Sequence, residues 1–219
     1  MLDGGSRNFS IAGNYTFSKA FDQVTDYNSD FRAMDQTNEK AERSLSAFDQ
    51  RHKVVLYSVL ESPHRKESDG LLKSILADNS LTPIFRYNSS RPFNLLAGVD
   101  VNGDRSTNGD RPPLVGRNTG IGPDFWTVDM RLARRIPLGA ETRTLELTAE
   151  AFNLFNRLNF ASINNTVGPN PPGTGPNQNP DLAQTVHVEG RRDRGPSQPL
   201  GFNSAFEPRR IQLGLRLRF

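Results

Sequence analysis

Apolar residues that recur at every second position, rather than every third or fourth, are the feature that most restricts this chain. The last segment shows it best. Ile211, Leu213, Leu215, Leu217 and Phe219 fall on one face of an extended strand, and Gln212, Gly214, Arg216 and Arg218 fall on the other. A strand in the wall of a membrane barrel needs this split, with aliphatic groups against lipid and arginines toward a watery interior. A strand of a soluble sandwich would show the same split, so this segment leaves both architectures open.

Five further segments read as strands. Phe9, Ile11, Gly13, Tyr15 and Phe17 alternate with polar or small residues. So do Trp126, Val128, Met130 and Leu132, and likewise Leu145, Leu147, Ala149 and Ala151. His52 to Leu60 is β-rich, although the run Val54-Val55-Leu56-Tyr57 blurs its facing. Ile84 to Ser90 reads as a strand bracketed by Pro83 and Pro92. Leu71, Leu72, Ile75 and Leu76 have helical spacing and predict one short helix over Gly70 to Ala77.

The connections alternate in length. Lys19 to Gln50, Arg91 to Asp124 and Asn156 to Arg209 are long, whereas Glu61 to Leu81 is shorter and Pro137-Leu138-Gly139-Ala140 is a tight turn. Outer-membrane barrels place long loops outside and short turns in the periplasm. The expected fold is therefore all-β: a partial antiparallel transmembrane barrel wall of about six strands, a curved sheet occupying residues 1–219. Its long loops are expected to be extracellular and its C-terminus periplasmic. The Pro-, Gly- and Asn-rich third loop, with Gly168-Pro169-Asn170-Pro171-Pro172-Gly173, is expected to be a mobile extracellular segment that cannot fold alone.

A mean hydropathy of -0.60 and the absence of any long apolar run exclude a membrane-spanning helix, but not membrane strands, which are only half apolar. There is no cysteine, which excludes disulfide scaffolds, thiolate metal sites and cysteine nucleophiles. The net charge of +3 does not point to nucleic acid, because acidic and basic residues are interspersed and no basic block stands beside aromatics. Met-Leu-Asp-Gly-Gly-Ser-Arg carries no signal-peptide pattern. The expectation is that a natural N-terminal part is missing.

The final residues also form a motif. Gln212, Gly214, Leu217 and Phe219 fit the terminal pattern of outer-membrane barrels, which resembles the assembly signal read by the barrel-assembly machinery. Three stretches resemble TonB-dependent receptors, above all the subgroup with a carboxypeptidase-regulatory-like domain: Asn14 to Ala20, Phe48 to Lys53, and Ala149 to Asn156. Ser90-Arg91-Pro92-Phe93 and Asn108-Gly109-Asp110-Arg111-Pro112 are similar to them as well. The resemblance covers nearly the whole chain. It implies a barrel of about 22 strands, a plug domain, and nutrient import driven by the TonB complex. The nutrient class would be a siderophore, glycan or peptide. The chain departs from that pattern in lacking a plug, a TonB box and enough strands to close a barrel. It would supply the C-terminal wall and loops, its partners being membrane lipid, the assembly machinery and the missing N-terminal part. The alternative is a soluble all-β binding module of adhesin or carbohydrate-binding type.

Other groups have two readings each. Asp100, Asn102 and Asp104 carry oxygens on alternate residues, as in the start of a calcium loop; they equally make an Asx/Gly turn. Arg191, Arg192 and Arg194 either steer an anion or form a solvated charge run. Glu146, Glu150, Asp129, Arg131, Arg216 and Arg218 read as a mixed-sign interior lining with cross-strand ion pairs. Trp126, Phe125 and Tyr87 suit an interfacial aromatic girdle. His52, His64 and His187 are not at ligand spacing, and neither Ser58 nor Ser62 lies in a nucleophile elbow. No enzyme activity, no cofactor and no metal centre is expected.

Overall fold

The structure is a computed structural model that describes residues 9–24, 32–63, 70, 75–139, 143–171 and 185–219. Its strands in chain order are β1 (Phe9–Phe17), β2 (Phe21–Asp22), β3 (Ser44–Leu45), β4 (His52–Glu61), β5 (Asn79–Asn88) and β6 (Pro92–Phe93). They continue with β7 (Gly120–Ile121), β8 (Phe125–Pro137), β9 (Thr144–Phe152), β10 (Phe160–Ile163), β11 (Val186–His187), β12 (Phe202–Ala205) and β13 (Arg210–Arg218). Six of these form one sheet in the order β1-β4-β5-β8-β9-β13, antiparallel throughout. They run from 9 to 13 residues, the length a tilted strand needs to cross a bilayer.

The register sorts the side chains into two faces. Directly paired residues share a face, so Phe9, Leu60, Leu81, Leu132, Ala149 and Leu213 make one apolar row across all six strands. The opposite face carries Arg86, Asp129, Arg131, Glu146 and Glu150. There Arg86 Nη2 lies 2.8 Å from Asp129 Oδ2, and Arg131 reaches Glu146 at 3.2 Å and Glu150 at 3.6 Å. The expected cross-strand ion pairs are thus formed at those residues. The register also settles the blurred strand: Val54 and Leu56 join the apolar face, opposite Tyr15 and Gly13, whereas Val55 and Tyr57 turn to the polar one.

No second sheet covers the apolar face among the described residues. Ile211, Leu213 and Leu215 are 65%, 82% and 70% exposed. A soluble sandwich would bury them. Gly214 has a packing reason: a Cβ there would collide with Thr148 Oγ1 on the neighbouring strand.

Two expectations change. β5 begins at Asn79, so Pro83 lies inside the strand rather than bracketing it. The β4–β5 register pairs Tyr57 with Ile84 and resumes at Leu60 with Leu81, since proline has no N–H to donate on that side. β8 runs through Pro137, which pairs with Thr144, so Pro137 belongs to the strand and not to the turn; Gly139 beyond it takes φ +79°. Of the short helix, Ile75 and Leu76 are helical, and residues 71–74 lie outside the described set.

Candidate functional site: a folded cap of long loops

All three long connections, residues 18–51, 89–124 and 153–209, leave from one end of the sheet, and residues 62–78 and 138–143 from the other. The strand–loop junctions explain three of the sequence stretches singled out above. Asp49 Oδ1 accepts the Ala20 amide at 2.7 Å, and Ser18 Oγ donates to the Gln50 carbonyl at 3.0 Å. These bonds tie the top of β1 to the top of β4. At the end of β9, Asn153 takes φ 50° and its amide donates to Asp129 Oδ1 at 2.9 Å. Its side chain then holds Arg157 through both a donated and an accepted bond. Asp129 therefore joins Arg86, Thr127 and Asn153 at the mouth of the polar face.

The loops fold on one another. Phe93 and Pro92 pair with Gly120 and Ile121, and β11 from the third loop adds in parallel to the same strand. A further bridge joins Leu96 to Thr166. Around these lies a dry core of Leu95 and Val115 from the second loop and Val167, Val186, Val188, Leu200 and Phe202 from the third. The third loop does not fold alone: its described residues share this core with the second loop. It buries apolar surface against the second loop, which local composition does not reveal; residues 172–184 lie outside the described set. Gly120 is needed there because a Cβ would come within 2.6 Å of the Phe93 ring. Gly120→Ala should therefore destabilise the cap by about 1–3 kcal/mol. Faster amide exchange at residues 119–121, with β8 unchanged, is the readout; equal exchange would show that the ring moves aside freely.

The first loop is held by charge. Arg111 Nη2 lies 2.8 Å from Glu42 Oε1, with side chains 5% and 3% exposed. Arg117 Nη1 donates to Asp22 Oδ1 at 2.6 Å and to Ser44 Oγ at 3.1 Å. Asn118 adds a bond to the Leu45 carbonyl. None of these pairs has a local sequence signal, since each joins residues of different loops.

The candidate residues fall as follows. Both carboxylate oxygens of Asp100 accept backbone amides, from Gly103 and Arg105, while Asn102 accepts from Asp104 and Asp104 from Ser106. Asp104 also faces Arg32 at 3.7 Å. Among the described residues no group of three or more acids and histidines has metal-site geometry. Arg192 is 2.6 Å from Glu189, and Arg194 Nη1 donates to the Pro199 carbonyl at 2.7 Å. Arg191 ends a 3-10 turn, Val188–Arg191, and its side chain is outside the described set, as is all of His64. Gln212 and Gly214 face the polar side of edge strand β13, Leu217 faces the apolar side, and Phe219 is 89% exposed.

Tyr87 and Trp126 stand in one row of the apolar face with Tyr15 and Val54, at the loop-bearing end. Phe125 alternates to the other face and meets the Phe206 ring edge-on at 5.2 Å. It therefore belongs to a cleft and not to the girdle.

That cleft was not legible in the sequence. It has a volume of about 590 Å³ and lies where all three loops meet the sheet, between Gln50, Asn88, Arg91, Phe125, Phe160 and Phe206. Of its lining residues, Arg91, Pro92 and Phe93 lie in one of the stretches singled out above.

A two-faced antiparallel sheet of membrane-crossing length, apolar outside and ionic inside, with one capped end, defines a wall of a transmembrane β-barrel. The model of the family described as outer membrane beta barrel domain matches residues 5–116 and 114–180. The chain belongs to that family, and its place is the outer membrane. It matches no curated protein and no solved structure.

Proposed function

We propose that this wall is the C-terminal barrel segment of a TonB-dependent transporter importing a scarce nutrient such as a siderophore, glycan or peptide. The observation that carries the reading is the folded cap. Three long loops converge over one end of the barrel, built with their own core and buried ion pairs. A structural barrel has no use for such an investment of chain, whereas a receptor needs a shaped mouth. The stretches Asn14 to Ala20, Phe48 to Lys53 and Ala149 to Asn156, which resemble such receptors, are the ones that set the strand–loop junctions. The plug, the contact with the TonB complex and the remaining strands lie on chain beyond these residues. The segment itself performs no catalysis.

Uptake of a metabolite panel by whole cells tests this. Deleting the gene and deleting the TonB energising protein should abolish uptake of the same compound. A compound lost with the energiser but never with this gene would sink the reading.

In this reading the loops face outside the cell and the turns face the periplasm. With no cysteine among these 219 residues, Leu114→Cys in the second loop should react with an impermeant maleimide on intact cells, over any background of the parent protein. Leu138→Cys in the turn should react only after lysis. The reverse pattern would invert the orientation. For assembly, removal of Phe219 should lower the amount of barrel in the outer membrane several-fold, because the exposed edge of β13 is what an assembly factor can pair with. Unchanged amounts would remove that role from Gln212, Gly214, Leu217 and Phe219.

A further inference from the structure

The cleft beneath the loops has a composition that selects its ligand. Phe93, Phe125, Phe160 and Phe206 supply its apolar lining, and no aspartate or glutamate is among the lining residues. Its polar side chains are largely engaged. Gln50 Nε2 donates to the Ser89 carbonyl, Asn165 Nδ2 to the Asn94 carbonyl, and Ser162 Oγ is 2.6 Å from Ser204 Oγ. Arg91 is different. Its backbone is fixed, its carbonyl accepting the Gly122 amide at 2.9 Å. Its exposed guanidinium has no ion-pair or hydrogen-bond partner among the described residues. A second cation stands at the rim, where Arg192 lies 5.8 Å from the Phe160 ring, although Glu189 partly neutralises it.

We propose that this cleft binds a small organic anion with an apolar body, an aryl or acyl carboxylate, held by Arg91 against the four phenylalanines. The volume of about 590 Å³ suits a one- or two-ring molecule. The rings give area without demanding hydrogen bonds, and the planar fork of arginine matches a carboxylate with two parallel bonds. A cation finds no counter-charge here. A neutral saccharide would gain no charge pairing from Arg91 and would find the Gln50 and Asn165 amide nitrogens already bonded within the protein. Asn88 and Phe125 place the cleft on the polar face of the sheet, at the mouth of the barrel interior. The inference rests on the transporter reading only for its consequence, that the bound anion stands on the route inward.

Saturable binding of radiolabelled 2-naphthoate to outer-membrane fragments carrying the full protein tests the site directly. Unlabelled 2-naphthylmethanol and maltose serve as competitors, and immunoblotting fixes the amount of protein. Naphthoate should bind saturably, the alcohol should compete at least about tenfold less well, and maltose should not compete. Arg91→Gln should weaken binding about tenfold, and Arg91→Lys less. Ala161→Trp, an exposed lining position, should fill the cleft and abolish binding without touching the loop core. Absence of saturable binding, equal competition by the alcohol, displacement by maltose, or indifference to Ala161→Trp would each overturn the proposal. These outcomes are independent of energised uptake. A failed binding assay with TonB-dependent uptake intact removes the site alone, and binding without such uptake removes the transporter alone.

Discussion

Replacing Glu42 by alanine should loosen the loop cap by about 3 kcal/mol while the six-stranded sheet stays intact. Glu42 Oε1 receives both Arg111 Nη2, at 2.8 Å, and the Met34 amide, at 3.0 Å. Removing the carboxylate leaves the Arg111 charge buried with only the Val115 carbonyl as partner, on its Nε at 3.2 Å. An uncompensated buried charge is costly, whereas an intact buried pair contributes little net, because desolvation offsets most of the attraction. Here Glu42 Oε2 and Arg111 Nη1 have no protein partner among the described residues, which lowers the net value of the pair further. The double change Glu42→Leu with Arg111→Met should therefore recover most of the loss. Amide exchange of the loops decides the matter. Opening of residues 34–45 and 111–118 should rise on the order of a hundredfold in the single variant. It should return to within about tenfold of the parent in the double variant. A single variant that exchanges like the parent would mean that water already reaches the pair.

That pair also marks the limit of what the sequence could disclose. The six strands were legible because a strand in such a wall carries its own signal, alternate apolar residues over about nine positions. Where the alternation failed, at Val54 to Tyr57, only the β1–β4 register could assign the faces. Pro83 misled because proline is normally a strand boundary; inside β5 its missing donor simply interrupts the pairing with β4. Glu42 and Arg111 are 69 residues apart, and neither has a neighbour that announces the other. Val186, Val188, Leu200 and Phe202 form a core with Leu95 and Val115, yet each pair alternates over only three residues, too short a run to read as a strand. Its composition keeps the third loop from folding alone, but it folds against the second. The cleft was hidden for the same reason, since its phenylalanines come from a strand end and separate loops. Of the candidate residues, Asp100, Asn102 and Asp104 gather in one turn, while Arg192 and Arg194 are bonded within their own loop.

Leu132→Arg should destabilise the assembled wall by about 2–4 kcal/mol, the cost of an arginine facing lipid near the middle of a bilayer. The depth follows from the structure. Trp126 lies in the aromatic row at the loop-bearing end, and Leu132 is on the same face of β8 further toward the turns. At about 3.3 Å per residue that is about 20 Å along the strand. With a strand tilt of about 40° it is about 15 Å along the membrane normal, near the centre of an apolar band about 25 Å tall. Arg131, one residue away, is an internal control: at nearly the same depth it already carries a guanidinium, but on the polar face, where Glu146 and Glu150 receive it. Ser80→Arg, on that same face beside Glu61, should accordingly change stability by less than about 1 kcal/mol. Denaturant titration in phospholipid bilayers gives both values. Trp126, the single tryptophan of these 219 residues, reports on the geometry independently in the Trp126-dependent part of the emission. Lipids brominated near the headgroup should quench it more strongly than lipids brominated at the chain ends. If Leu132→Arg and Ser80→Arg cost the same, or if Trp126 is quenched by neither lipid, the apolar face does not meet the membrane. The row from Phe9 to Leu213 would then have to be covered by protein.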